Sequence, residues 1–217
     1  MTGPTPLRSE GELLAEVLDT LEQSSQVKQF SGWDSGFENL NRALDGIQPG
    51  LYLLIGAPAC GKTSFAKQLL DQVAQANHQP GIFFSFSDSL SELRIKTLAR
   101  LSGLENREIR RGSAYLLHWY GVPKAHHASA AELAPSWEKL RGTAEDAKSW
   151  LDRIYLVECE QDTTFKELDT KIRQIDGTPF VVIDDCQRLG EANRALEQRL
   201  PMVVEQLQTL AVNLKIP

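Results

Sequence analysis

The chain is short of several residue types, and each shortage removes a class of protein. Of 217 residues only three are cysteine (Cys60, Cys159, Cys186). Their positions match no metal cage and no disulfide framework, so free thiols in a reducing compartment are the simplest account. No apolar run approaches the roughly 20 residues of a membrane-spanning helix. The stretch from Met1 to Glu10 is too polar for a secretory signal. A cytoplasmic protein with no membrane partner is the expectation. Internal repeats and low-complexity tracts are missing, so no repeat architecture is indicated. An excess of positive charge is missing too: 23 Lys and Arg stand against 29 Asp and Glu, a formal net charge of -6. That balance excludes a surface basic all over. A nucleic-acid site built from local loops, or from the pore of a ring, stays compatible with it.

What the chain does have is a phosphate-binding signature. The apolar run Leu51-Tyr52-Leu53-Leu54-Ile55 leads into Gly56-Ala57-Pro58-Ala59-Cys60-Gly61-Lys62-Thr63, and the helical pattern Ser64-Phe65-Ala66-Lys67-Gln68-Leu69-Leu70 follows at once. Gly-x-x-x-x-Gly-Lys-Thr between a predicted strand and a predicted helix is the P-loop in its required context. Gly56 and Gly61 permit backbone angles and close approaches that a side chain would block. The backbone of 57–63, with Ser64 at the helix start, would surround phosphates with N–H groups and the positive helix end. Lys62 would reach the β- and γ-phosphates, and the Thr63 hydroxyl would ligate Mg²⁺. The expected ligand is therefore a nucleotide, ATP, with Mg²⁺.

Periodicity organises the rest. Leu13, Leu14, Val17, Leu18 and Leu21 recur at helical spacing, so about 11–22 reads as an amphipathic helix, followed by a polar connector to Lys28. Residues 1–28 are thus an N-terminal helix and linker, and 29–217 the main domain. Further helices are expected at 38–44, from the P-loop to Ala76-Asn77, at 91–102, 164–175 and 192–214, with patches near 113–120 and 136–150. The 164–175 helix opens with a Thr164, Glu167 capping box, and the 192–214 helix carries a break or kink near Pro201. Strands are expected at 51–55, 82–86, 154–157 and 180–185. Strands alternating with helices predict an α/β fold with a mainly parallel sheet flanked by helices.

Val181-Val182-Ile183-Asp184 supplies the second half of the site. A buried strand delivers a carboxylate at its C-terminal edge, where ligands bind in open α/β sheets. Asp184 would hold Mg²⁺ or its water, facing Thr63. The chain resembles the RecA-like ATPase domain of the DnaB-type replicative helicases from about Gly36 to Pro217. Gly36-Phe37-x-x-Leu40, Gly46-x-x-Pro49-Gly50, the P-loop, Phe84-Ser85-Phe86-Ser87-Asp88-Ser89, Ile109-Arg110-Arg111-Gly112, Val182-Ile183-Asp184-Asp185-Cys186-Gln187 and Leu210-Ala211-x-x-Leu214-x-Ile216-Pro217 carry the likeness in order and spacing. The resemblance implies ATP hydrolysis coupled to single-stranded DNA within a ring-shaped homo-oligomer.

Two departures accompany it. Where the family has its catalytic glutamate, this chain has Ser87, and a hydroxyl without an activating base cannot replace a carboxylate. Asp185, beside the metal-binding acid, and Asp88, if a turn brings it back, are the substitutes; the third reading has no competent base. In that case the chain would be a nucleotide-binding switch or scaffold. The sequence also stops at Pro217, where the resemblance places a strand between the P-loop strand and the metal-binding strand. The domain therefore reads as incomplete at its C-terminal end.

Other features read more plainly. Arg94, Lys96, Arg100, Arg107, Arg110 and Arg111, interleaved with Glu105 and Glu108, read as a solvated helix face rather than a phosphate contact. His118, His126 and His127 beside Trp119 and Tyr120 read as a surface insertion, and Cys60 as a small residue tolerated in the loop. The N-terminal helix either docks on a neighbouring subunit or packs on its own domain.

Overall fold

The computed structural model describes residues 9–25, 30–111, 135–190 and 195–217. The chain divides into two compact units, Met1–Gln48 and Pro49–Pro217. The first holds α1 (Glu10–Ser25) and α2 (Glu38–Leu44). On α1, Leu13, Leu14, Val17 and Leu18 lie at helical spacing and are exposed. The segment before α2 is fixed by polar contacts. Ser35 and Asn41 are buried; the Ser35 hydroxyl donates to Asn41 Oδ1 at 2.6 Å, and Asn41 Nδ2 donates to Asp34 Oδ1 at 2.6 Å. Trp33 and Ile47 form an antiparallel bridge around α2.

In the second unit the order is α3 (Lys62–Asn77), β1 (Gly81–Ser85), α4 (Leu90–Ser102), α5 (Asn106–Arg111), α6 (Pro135–Leu151), β2 (Ile154–Glu158), α7 (Phe165–Arg173), β3 (Phe180–Asp184), a 3₁₀ turn (Cys186–Arg188) and α8 (Leu196–Leu214). The sheet order is β2-β1-β3 and both pairings are parallel. Parallel strands need covering on both faces, and every residue of β1 is buried. Its side chains alternate. Ile82 and Phe84 join Phe86, Leu168 and Ile172 of α7, and Val203 and Leu207 of α8 in the main apolar cluster. Toward the other face, a Cβ placed on Gly81 would come within 3.0 Å of Leu70 on α3. Burying Ile82, Phe83 and Phe84 contributes about 1.5–3 kcal/mol each before entropic costs.

Helix signals agree with the expectation. Thr164 and Glu167 form both halves of the capping box that opens α7. Ser89 caps α4 by accepting from the Glu92 N–H at 3.3 Å. The helix expected from 192 is described from Leu196, and Pro201 lies inside it without ending it. The carbonyl that loses its donor there belongs to exposed Glu197, near the helix start, where water can satisfy it. The patch expected at 136–150 is α6, whereas that at 113–120 lies outside the described residues.

The expected strand at 51–55 is a correction. Residues 51–57 carry no regular structure, and no described segment pairs with them. Leu51 packs against the main cluster, but Tyr52, Leu53 and Leu54 are exposed and Ile55 is 86% exposed. A strand is defined by its ladder. Apolar residues with no neighbouring strand do not form one, whatever their β propensity. The positions on either side are fixed: the Gly50 N–H donates to the Ile216 carbonyl at 3.0 Å, and the Val181 N–H to the Pro217 carbonyl at 3.1 Å.

A buried polar cluster ties α3 to α4. Lys67 and Asp71 are 3% and 1% exposed and pair directly. Asp71 also accepts from Thr97 Oγ1 at 3.1 Å and Arg100 Nη2 at 2.8 Å. Burial holds the Lys67 ammonium below its usual pKa, against the raising effect of the Asp71 carboxylate. Asp71→Ala leaves Lys67 buried without compensation and should cost about 3–5 kcal/mol in urea unfolding. Lys67→Met should cost clearly less, because Thr97 and Arg100 still satisfy Asp71. In amide hydrogen exchange, Leu53, Leu54 and Ile55 should exchange far faster than Ile82, Phe83 and Phe84, which sit in the middle of the ladder.

Candidate functional site

The loop after Ile55 turns on unusual backbone angles. Ala59 takes φ 60° and Gly61 φ 94°, the second strained for any residue with a side chain. A Cβ on Gly56 would come within 2.8 Å of the Cys60 sulfur. Gly61 is the N-cap of α3, and its carbonyl accepts from the Phe65 N–H at 2.9 Å. The helix therefore starts at Lys62 with its first-turn N–H groups directed at the loop. Lys62 Nζ donates to the carbonyls of Gly56 (3.0 Å) and Ala57 (2.8 Å), folding the ammonium over the loop backbone.

Sheet register brings the second half of the site to this loop. Ser85 at the end of β1 lies opposite Asp184 at the end of β3. Asp184 Oδ2 accepts from the Thr63 hydroxyl at 2.8 Å, across 121 residues, and from the Ser87 hydroxyl at 3.2 Å. A cleft of about 620 Å³ opens between the 56–64 loop and these strand ends. Lys62, Thr63, Ser64, Ser87, Lys96, Asp184, Asp185 and Gln187 line it. Among the described residues no group of three or more His, Cys, Asp or Glu could hold a metal by itself. Thr63 and Asp184 instead offer one hydroxyl and one carboxylate oxygen. That hard, incomplete donor set fits Mg²⁺, which keeps waters and shares its coordination with substrate phosphates.

The two candidate substitutes for the missing glutamate are placed differently. Asp185, in the left-handed region at φ 66°, lines the cleft. Its carboxylate accepts from Gln187 Nε2 at 2.5 Å and pairs with Arg188 Nε at 3.1 Å. Arg188 in turn donates to the Phe86 carbonyl at 2.9 Å, fixing this corner to the end of β1. Asp88 is turned back by Ser85, whose hydroxyl donates to the Asp88 carbonyl (2.8 Å) and accepts from its N–H (3.1 Å). Its carboxylate pairs with Lys96.

Lys96 is the residue that sequence reasoning misplaced. Read as part of a solvated face, it is only 26% exposed and stands in the cleft wall. The sole sequence signal was an acid eight residues earlier, and that spacing matches no helical pairing because it crosses the 85–88 turn. Two neighbouring basic residues are ion-paired: Arg100 with Asp71 and Arg110 with Glu92. His118, Trp119, Tyr120, His126 and His127 lie outside the described residues.

A parallel sheet covered by helices, with a glycine-rich loop opening a helix beside a strand-end carboxylate, defines a RecA-like ATPase domain. The chain belongs to the DnaB-like helicase C terminal domain family, which matches residues 32–217. The replicative DNA helicase DnaB of Pasteurella multocida (strain Pm70) is 29% identical over 94% of this chain and 42% of the relative. Among solved structures, an isolated ATPase domain superposes with a TM-score of 0.74 at 20% identity, covering 97% of this chain and 69% of that one. A DnaB-like replicative helicase studied in its interactions with primase superposes at 0.73 with 19% identity, covering 99% and 48%. The chain thus spans less than half the length of the curated relatives it matches across nearly its whole extent. No helix of the described residues is long and apolar enough to cross a membrane.

The three thiols provide a check on this geometry. Cys60 is exposed on the loop. Burial raises the pKa of Cys159, and burial together with the Asp185 and Asp184 carboxylates raises that of Cys186. Iodoacetamide at neutral pH should therefore alkylate Cys60 first, with Cys159 and Cys186 reacting fully only after unfolding, as read by peptide mass mapping.

Proposed function

We propose that this chain binds Mg²⁺-ATP and hydrolyses it, as the nucleotide-handling part of a replicative DNA helicase of the DnaB type. The observation that carries this reading is the contact of Thr63 and Asp184 at the mouth of the Gly56–Thr63 loop. Two chain segments 121 residues apart meet there with the donor chemistry that a metal–phosphate complex requires.

Each residue has a role in this reading. Phosphates displace the Gly56 and Ala57 carbonyls from the Lys62 ammonium, and the loop N–H groups from Ala57 to Ser64 cradle the chain of phosphates. Thr63 and Asp184 hold Mg²⁺, which when bound neutralises the terminal phosphate oxygens. Ser87 supports Asp184 through its hydroxyl. Asp185, the candidate acid lining the cleft, orients the attacking water, a task that needs a well-placed acceptor more than a strong base. Asp88 is engaged with Lys96 and serves to position it. Self-association into a ring would bring a neighbour's cation to the γ-phosphate, and single-stranded DNA is the expected polymer partner in a cytoplasmic setting. A primase contact, as studied for the structural relative, is a further partner to test.

The test is equilibrium binding of a fluorescent ATP analogue with Mg²⁺, together with steady-state phosphate release with and without single-stranded DNA. Binding and turnover should both appear in the wild type. Lys62→Ala should lower turnover by about 10²-fold or more, and Asp184→Asn should abolish the Mg²⁺ dependence. Binding without turnover, unchanged in Asp185→Ala, would replace this reading by that of a nucleotide switch. No binding at all would remove the nucleotide.

A further inference from the structure

The P-loop lysine is not the only ammonium group at this cleft. Lys96 belongs to α4, two turns in from the Ser89 cap, and its side chain is drawn back to the cleft wall. Three features hold it there. Its Nζ pairs with the Asp88 carboxylate, and the two side chains are only 26% and 28% exposed. The Asp88 backbone is bonded on both its N–H and its carbonyl to the hydroxyl of buried Ser85. The helix that carries Lys96 is locked to α3 by the buried Asp71 cluster, through Thr97 and Arg100, the residues next to and four beyond it. A surface lysine with a solvated ion pair would have none of this support.

The direction of approach gives the group its role. Lys62 lies over the Gly56 and Ala57 carbonyls, on the loop side. Lys96 is anchored beside Ser87, whose hydroxyl contacts the same Asp184 oxygen as Thr63. It therefore enters from the metal end, where the terminal phosphate of a triphosphate would lie. We infer that Lys96 is a second phosphate-binding lysine, one that reads the γ-phosphate and so distinguishes nucleoside triphosphate from diphosphate. Asp88 holds its ammonium near the cleft until the phosphate takes over as the counter-charge. This inference rests on the nucleotide reading of the site.

The experiment compares wild type, Lys96→Met, Lys96→Arg and Lys62→Ala, each as the full chain with Mg²⁺. Affinities for ATP and for ADP are measured by displacement of a fluorescent ADP analogue. Lys96→Met keeps the apolar stem and removes the charge. It should weaken ATP by about 10- to 100-fold, the range for a charge-assisted hydrogen bond, and ADP by no more than about twofold. Retained ADP binding also shows that the variant is folded. Lys96→Arg should recover most of the ATP preference, and Lys62→Ala should weaken both nucleotides. Equal loss of ATP and ADP in Lys96→Met, or no loss of either, overturns the assignment while leaving the nucleotide site intact. A wild type that binds neither nucleotide overturns both.

Discussion

Every distance in the candidate site is set by the way β1 is buried and paired. The strand is covered on both faces and bonded on both edges, so its position has almost no freedom. Because β3 runs parallel to it in register, Ser85 and Asp184 end at the same level, and the residues that follow each strand emerge side by side. The same strand supports α3 from below, so the loop that opens α3 is carried to those strand ends. Thr63 meets Asp184 because three elements share one central strand. A slip of one residue in the β1–β3 register would turn the β3 side chains to the opposite face and break the contact.

The second constraint is electrostatic. Asp71, almost fully buried, collects Lys67 from its own helix with Thr97 and Arg100 from α4. A buried ion network is a poor source of net stability but tolerates little misplacement, since any shift leaves a desolvated charge unpaired. Here it fixes α4 against α3, and with α4 the lysine that reaches the cleft. The cleft balances Lys62 and Lys96 against Asp184 and Asp185, with Arg188 and Asp88 compensating one member on each side. A bound polyphosphate with its cation would enter an environment already arranged for both signs.

Much of this was legible in the chain because the signals are local. Gly61 and Lys62 announce the loop, Val181 to Asp184 the buried strand with its acid, and Thr164 with Glu167 a capping box that forms as written. The expected strand at 51–55 shows where local signals fail. Its residues are apolar and β-favouring, yet a strand also requires a partner, and no described segment lies beside it. Lys96 failed for a related reason: its pairing with Asp88 crosses a turn held by the Ser85 hydroxyl, and no periodicity encodes that. The two candidate acids could not be separated by spacing either, because what distinguishes them is which one faces the cleft.

The sequence by itself determined the fold class, the phosphate-binding loop and the identity of the metal-facing acid. Each depends on residue types at fixed short spacing, and backbone sterics and helix capping act within a few residues. Tertiary structure alone decided that Thr63 and Ser87 share one oxygen of Asp184, that Asp88 is tied to Lys96 while Asp185 lines the cleft, and that Leu53 to Ile55 stay outside the sheet. Those outcomes depend on strand register, on burial, and on which neighbour is present to complete a hydrogen bond. They are properties of the packed chain and not of any one stretch of it.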